Sequence, residues 1–174
     1  MQQTNLTALP AHGTIFRVIE MDRQRIEAAR RMIGDLTPLP HDCGALCGAA
    51  CCRPDEDGDG GMYLFPGEAW AGRTLGGEFA PIAVCDGRCE RKSRPLACRI
   101  FPLTPVLTDG VWKVRMDARA RAMCPLAPSG AKGLQKAFAR AVVKAIRLIA
   151  EDPEGDAFLR AWQAREEEFR NFRL

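Results

Sequence analysis

The sequence has few histidine and aromatic residues and no long apolar run. It contains two histidines and one tyrosine, and aromatic residues make up 7% of the chain. No apolar stretch approaches the roughly 18 residues needed to cross a bilayer. The N-terminus lacks the basic segment followed by an apolar one that is typical of a secretory signal. We therefore expect a cytoplasmic protein with no membrane partner.

Several functional motifs are also missing. There is no GxGxxG, P-loop or GxSxG motif, which removes the usual signals for dinucleotide binding, phosphate binding and serine hydrolysis. No two cysteines are separated by two residues, so zinc-ribbon knuckles, thioredoxin-like dithiols and bacterial ferredoxin loops are excluded. The CxxxCxxC signature of radical enzymes is not matched, because the gap before the third cysteine is one residue too long. The net charge of +3 is too small to indicate a nucleic-acid partner by itself.

The sequence is, by contrast, rich in cysteine. Eight cysteines all lie between residues 43 and 124. They are Cys43, Cys47, Cys51, Cys52, Cys85, Cys89, Cys98 and Cys124. In a reducing cytosol such thiols usually bind metal or take part in redox chemistry. A disulfide framework is the alternative if the chain is exported, but the adjacent pair Cys51-Cys52 disfavours it on geometric grounds. All eight are predicted metal ligands.

The spacing within the first cysteine run limits how it can bind a metal. In a continuous helix Cys43 and Cys51 would lie about 12 Å apart along the axis. Thiolates around one zinc lie under roughly 4 Å apart. Either Gly44 and Gly48 let the backbone wrap around the metal, or the ligands divide between two centres.

Positive charge accompanies the later cysteines. Between residues 85 and 124, basic residues outnumber acidic ones by nine to four. Arginines that donate to sulfur would stabilise thiolates. Arg94 and Arg99, which flank Cys98, are the predicted second layer around a metal; a solvated face or a phosphate-binding surface is the alternative.

The spacing of apolar residues predicts a helix over residues 14–33, ahead of the cysteines. Thr14 is its predicted N-cap, and Gly34 lies just past its end. Its arginines, Arg30 among them, are expected mainly on the solvent side.

Two further helices are predicted after the cysteines. Ser129 is expected to cap the first, in which Phe138 and Ile149 belong to one apolar face. Asp152-Pro153 ends that helix, and an amphipathic segment that includes Trp162 follows.

Short elements are predicted between these helices. Residues 62–65 and 81–85 are expected to be strands, and a short helix is expected to begin at Pro66. Residues 103–107 and 111–116 are predicted to form a hairpin across Asp109-Gly110.

Together these patterns predict an α+β protein with a single domain over residues 1–174. A small cysteine-rich metal-binding core of loops and short strands spans residues 41–126. Long flanking helices over residues 14–34 and 129–172 brace it.

The segment Ser93-Arg-Pro-Leu-Ala-Cys98-Arg-Ile-Phe-Pro102, the run that ends in Cys51-Cys52, and Cys124-Pro125 together resemble the YkgJ-like cysteine-cluster family. That family is described as zinc- or iron-chelating, and flagellin lysine methylases share related cysteine motifs. The first run departs from the family's CxxCxxCC, since each gap here has three residues. The resemblance covers roughly residues 41–126 and implies metal chelation without a defined reaction.

Three functions follow from these observations. The first is a metal-binding protein that holds zinc or an iron–sulfur cluster through distributed cysteines. The second is an iron–sulfur enzyme for protein-lysine methyl transfer or redox chemistry, although no independent catalytic constellation supports it; His41 is expected to be an exposed loop residue. The third is a zinc-dependent nucleic-acid-binding module, which is least favoured because aromatic residues are not interleaved with the basic segment.

Overall fold

The computed structural model describes residues 21–53, 61–85 and 90–171. They form an α+β protein, which confirms the predicted class. The helices are α1 (Arg23–Ile33), α2 (Gly44–Cys47), α3 (Leu96–Ile100), α4 (Ala120–Met123), α5 (Lys136–Ala150) and α6 (Pro153–Asn171), with 3₁₀ turns at Ala50–Cys52 and Ala127–Gly133. The strands are β1 (Gly61–Tyr63), β2 (Thr74–Leu75), β3 (Ile82–Val84), β4 (Leu103–Thr108) and β5 (Val111–Met116).

The first helix begins later than its apolar spacing predicts. Asp22 is the N-cap of α1, and its carboxylate accepts a hydrogen bond from the Gln24 amide at 2.9 Å. The predicted start at Thr14 lies outside the described residues. The helix ends as predicted, with Gly34 at φ 54°. The solvent-facing prediction for Arg30 is wrong, since this side chain is buried.

Two small antiparallel sheets lie between the helices. β3 is the central strand of one sheet, with β1 and β2 on either side. β4 and β5 form the predicted hairpin, in which Leu103 pairs with Met116 and Thr108 with Val111. Asp109 and Gly110 connect them with positive φ angles of 53° and 73°, as a tight hairpin turn requires.

Residues 64–70 do not form the predicted short helix. Gly67 has a φ of 75°, in the left-handed region, and the segment turns there. The Glu68 carboxylate accepts hydrogen bonds from the amides of Phe65 and Leu96, which joins this turn to the first residue of α3.

The predicted C-terminal helical region, residues 129–172, contains two helices, with Phe172 outside the described residues. Ser129 is not the cap that was predicted, because α5 starts at Lys136 after Gln135. The intervening chain turns at Gly130, where φ is 58°. Pro153 is the first residue of α6, and the Asp152 carboxylate accepts from the amide of Glu154 at 2.9 Å.

The hydrophobic core lies where the long helices meet the hairpin. α5 packs on α1, on β5 and on α6, and α6 packs on β4. The predicted apolar face of α5 is buried, from Phe138 to Ile149. Trp162 of α6 is fully buried beside Phe65 and Phe158, with ring centroids 5.8 and 6.0 Å away.

None of the helices in the described part of the chain is both long enough and apolar enough to cross a bilayer.

Candidate metal centre

The cysteines in the described residues converge on two adjoining cavities. The larger cavity, of about 50 Å³, has five cysteines in its wall: Cys43, Cys47, Cys51, Cys98 and Cys124. The smaller, of about 10 Å³, has four: Cys51, Cys52, Cys85 and Cys98. Cys51 and Cys98 contribute to both walls, so the two cavities share a boundary. Cys89 lies outside the described residues.

The first cysteine run bends instead of forming one long helix. α2 is a single turn that ends at Gly48, where φ is 59° and ψ is 35°. Ala49 is also left-handed, with φ 57°, and a 3₁₀ turn follows. Left-handed residues reverse the direction of a helical chain. The reversal brings Cys51 to the same cavity as Cys43, which lies eight positions earlier.

The later cysteines reach the cavities from separate elements. Cys85 follows β3, Cys98 lies in α3, and Cys124 ends α4, with its amide 2.7 Å from the carbonyl oxygen of Ala120. These short elements place cysteines from distant parts of the sequence around one region.

The neighbouring thiols of Cys51 and Cys52 interact directly. Their sulfur atoms lie 3.9 Å apart. The hydrogen bond from Cys51 lowers the pKa of Cys52 to about 6, with help from the charge of Arg94 and a hydrogen bond to Cys85. The same contact, together with burial, raises the pKa of Cys51. The pair therefore favours one thiolate at neutral pH.

Cys43 is held in its neutral form. Burial raises the pKa of Cys43, and charge interactions with Asp42, Cys47 and Cys124 raise it further, while Arg94 lowers it. Mutual repulsion of this kind shows that these thiols lie close enough to sense one another's charge. A bound cation would reverse the effect, since it favours the thiolate form.

Of the two predicted arginines, Arg94 acts on the thiols. Its charge lowers the pKa of both Cys43 and Cys52. Arg99 is buried and has a different set of partners: its guanidinium donates to the carbonyl oxygens of Arg94 at 3.1 Å and Gly34 at 3.2 Å. It also donates to those of Arg91 and Lys92. The Arg99 side chain therefore fixes the loop that carries Arg94.

Arg30 has a supporting role that the sequence analysis missed. Its Nη2 donates to the carbonyl oxygens of Lys92 at 3.0 Å and Arg94 at 2.8 Å. This ties α1 to the segment that precedes α3. A signal was present, because Arg30 follows Ile26 by four residues and precedes Ile33 by three, which places it on the apolar face.

The residues present suit a thiolate-bound metal by chemistry, although their side chains are not arranged around an ion. Across residues 21–53, 61–85 and 90–171, no three histidine, cysteine, aspartate or glutamate side chains group closely enough to hold one. His41 is exposed, as expected. The described cysteines are half-buried apart from the exposed Cys51. Such soft sulfur donors fit zinc or an iron–sulfur cluster, and they do not fit magnesium or calcium, which prefer oxygen.

Comparison of the chain with protein-family models, curated proteins and solved structures found no match.

Proposed function

We propose that this protein binds zinc or an iron–sulfur cluster through its cysteines. The observation that carries the proposal is the convergence of seven cysteines on two adjoining cavities. They come from five places in the chain: the two turns of the 43–52 run, the end of β3, α3 and the end of α4. Cysteines that merely fill a core would have no reason to gather at one place.

The larger cavity supplies the better candidate ligands. Five thiols line it, one more than a four-cysteine zinc site or cluster needs. Rotation of cysteine side chains toward the cavity would have to bring the sulfur atoms to metal-binding distance. Cys52, Cys85 and Cys89 would complete the set or belong to a second centre.

Two further features support the proposal. Arg94 stabilises negative charge at Cys43 and Cys52, as expected beside a thiolate centre. The resemblance of residues 41–126 to the YkgJ-like family also implies zinc or iron chelation. Since unoxidised thiols persist in reducing compartments, we also propose a cytoplasmic location.

The proposal is tested by purifying the full chain without oxygen and measuring zinc, iron, acid-labile sulfide and reactive thiols. Zinc at one or two ions per chain, in a colourless protein, supports a zinc site. Iron and sulfide in equal amounts, with a brown colour, support a cluster. Protein without metal that also fails to bind zinc or to accept a reconstituted cluster would overturn the proposal.

A further inference from the structure

A pair of buried carboxyl groups lies in a different part of the molecule from the cysteines. Asp117 follows β5 and is 0% exposed, and Glu166 in α6 is 3% exposed. The two carboxyl groups share a hydrogen bond. Buried carboxyl groups are normally matched by cations or by several hydrogen bonds.

Asp117 is fully matched. The Arg119 guanidinium donates to both of its oxygens, from Nε at 3.0 Å and from Nη2 at 2.6 Å, and the Arg119 amide adds a third bond at 2.8 Å. This is the two-bond geometry in which arginine binds a carboxylate most strongly.

Glu166 is not matched to the same degree. One Glu166 oxygen accepts a hydrogen bond from the Ala118 amide at 3.3 Å. The other lies 3.9 Å from the Arg119 Nε, which already donates a hydrogen bond to Asp117. Two buried carboxyl groups therefore face one guanidinium. If both carboxyl groups ionise, the cluster carries two negative charges and one positive charge.

The charged groups around this cluster do not supply a second cation. Arg165 is engaged by Glu78 at 2.8 Å and by Glu168 at 3.8 Å. Glu167, the next residue of α6, lies 3.9 Å from Arg115. Arg165 is thus paired with other acidic side chains, and Arg115 makes a longer contact with Glu167.

Glu166 also lines a cavity of about 290 Å³. This volume lies just below the range of small-molecule pockets, which is about 300–1,000 Å³. Its wall contains the aromatic rings of Tyr63, Trp162 and Phe169, together with the charged side chains of Arg119, Arg165 and Glu168. Tyr63 already carries one cation on its ring, since the Arg119 guanidinium carbon lies 5.3 Å from the ring centroid.

Glu166 is the buried acidic side chain of this wall, and its hydrogen bond from the Ala118 amide is long, at 3.3 Å. Buried polar groups are nearly always satisfied by protein, water or ligand. A cation bound in the cavity would therefore meet a carboxyl group that has few partners of its own.

We propose that this cavity binds a small aliphatic amine in its ammonium form, which pairs with the Glu166 carboxylate while its carbon chain packs on the aromatic rings. An ammonium group would balance the charge of the ionised Glu166 carboxylate, and aromatic faces favour an organic cation. The proposal is independent of the metal centre, which lies among other residues.

Binding should release a proton. Burial and the neighbouring Asp117 raise the pKa of Glu166 to about 7, so the empty cavity keeps this carboxyl largely protonated below that pH. An ammonium group favours the ionised form and lowers the pKa. At pH 6 the bound amine therefore displaces close to one proton per site into the buffer.

The test is calorimetric titration of the full chain at pH 6 with n-butylammonium chloride, in two buffers of different ionisation enthalpy. 1-Butanol serves as the uncharged ligand of similar shape. The wild type is expected to bind the ammonium at least ten-fold more tightly than the alcohol, with proton release. Glu166→Gln, which keeps size and hydrogen bonding, is expected to weaken ammonium binding at least ten-fold and to abolish the proton release.

Glu167→Gln is the matched control, since it removes an exposed carboxylate next to the site, and binding should be unchanged. Absence of ammonium binding at millimolar concentration would overturn the proposal. So would equal affinity for 1-butanol, or unchanged affinity in Glu166→Gln.

Discussion

Cys98 lines both cysteine cavities and lies in α3, which is held at its first residue by the Glu68 carboxylate. If Cys98 binds a metal, a ligand in so rigid a position cannot readily be replaced by movement of another residue. We expect Cys98→Ser to weaken metal retention by roughly 10–100-fold. Substitution of residues that only support the metal ligands already lowers metal affinity by this factor. Metal content after dialysis against a competing chelator measures this.

His41→Ala is the matched control for Cys98→Ser, because His41 is an exposed potential ligand beside the first cysteine run. Its metal content should equal that of the wild type. Equal retention by Cys98→Ser and wild type would remove Cys98 from the ligand set.

Glu166 makes stability depend on pH in the direction opposite to an ordinary surface carboxylate. Its folded pKa is raised to about 7 from a usual value of 4.5, chiefly by burial. The folded state therefore binds more protons than the unfolded state between these values. The stability is fully present below the unfolded pKa and is lost as pH rises through the folded one.

We expect the free energy of unfolding to fall by about 1–3 kcal/mol between pH 5 and pH 8 through this group. In Glu166→Gln this decrease in the free energy of unfolding with rising pH should be absent. Urea unfolding at several pH values measures the difference between the two proteins, and parallel pH profiles would contradict the assignment.

At the scale of elements, the bend after α2 depends on its left-handed residues. A Cβ at Gly48, where φ is 59°, is strained and would lie 2.6 Å from a guanidinium nitrogen of Arg53. Gly48→Ala should therefore cost about 1–2 kcal/mol of stability and reduce metal affinity, measured by chelator competition.

Gly44→Ala is the control for the bend, since Gly44 lies in the helical turn and its nearest neighbour, an Asp42 carboxylate oxygen, is 3.3 Å away. It should bind metal like the wild type. Ala49→Gly should change stability in the opposite sense to Gly48→Ala, because it relieves a left-handed alanine at φ 57°. Equal metal binding by the Gly48 and Gly44 variants would show that the bend is not required.

The junction of α5 and α6 depends on one glycine. A Cβ at Gly155 would lie 2.1 Å from the carbonyl oxygen of Ile149, a backbone atom that cannot move aside cheaply. Gly155→Ala should thus destabilise the protein by about 1–3 kcal/mol, as overpacking does, despite the better helix propensity of alanine. Gly76→Ala, with no atom within 4 Å, should be neutral in the same denaturation experiment; equal stability of the two variants would contradict the close packing.

At the scale of the whole molecule, local patterns were enough to predict the α+β class and several elements. The hairpin was predictable because Asp109-Gly110 suits a tight turn between two alternating runs. The buried face of α5 followed from helical spacing of residues such as Phe138 and Ile149. Both features depend on residues that are close in the sequence.

Features that depend on distant partners were not predictable. The burial of Arg30 requires the carbonyl oxygens of Lys92 and Arg94, more than sixty positions away. The Asp117–Glu166 pair likewise joins β5 to α6, and no local pattern indicates it. The sequence identified the cysteines as a set, while only the fold shows which of them line each cavity.

For the whole molecule, we propose that the cysteine-bearing region binds a metal through thiolates. X-ray absorption at the edge of the metal found in the anaerobically purified full chain tests it most directly. The account predicts a first shell made of sulfur, at about 2.3 Å for zinc, that is altered in Cys98→Ser. A first shell made only of nitrogen and oxygen, as adventitious binding at surface residues would produce, would contradict it.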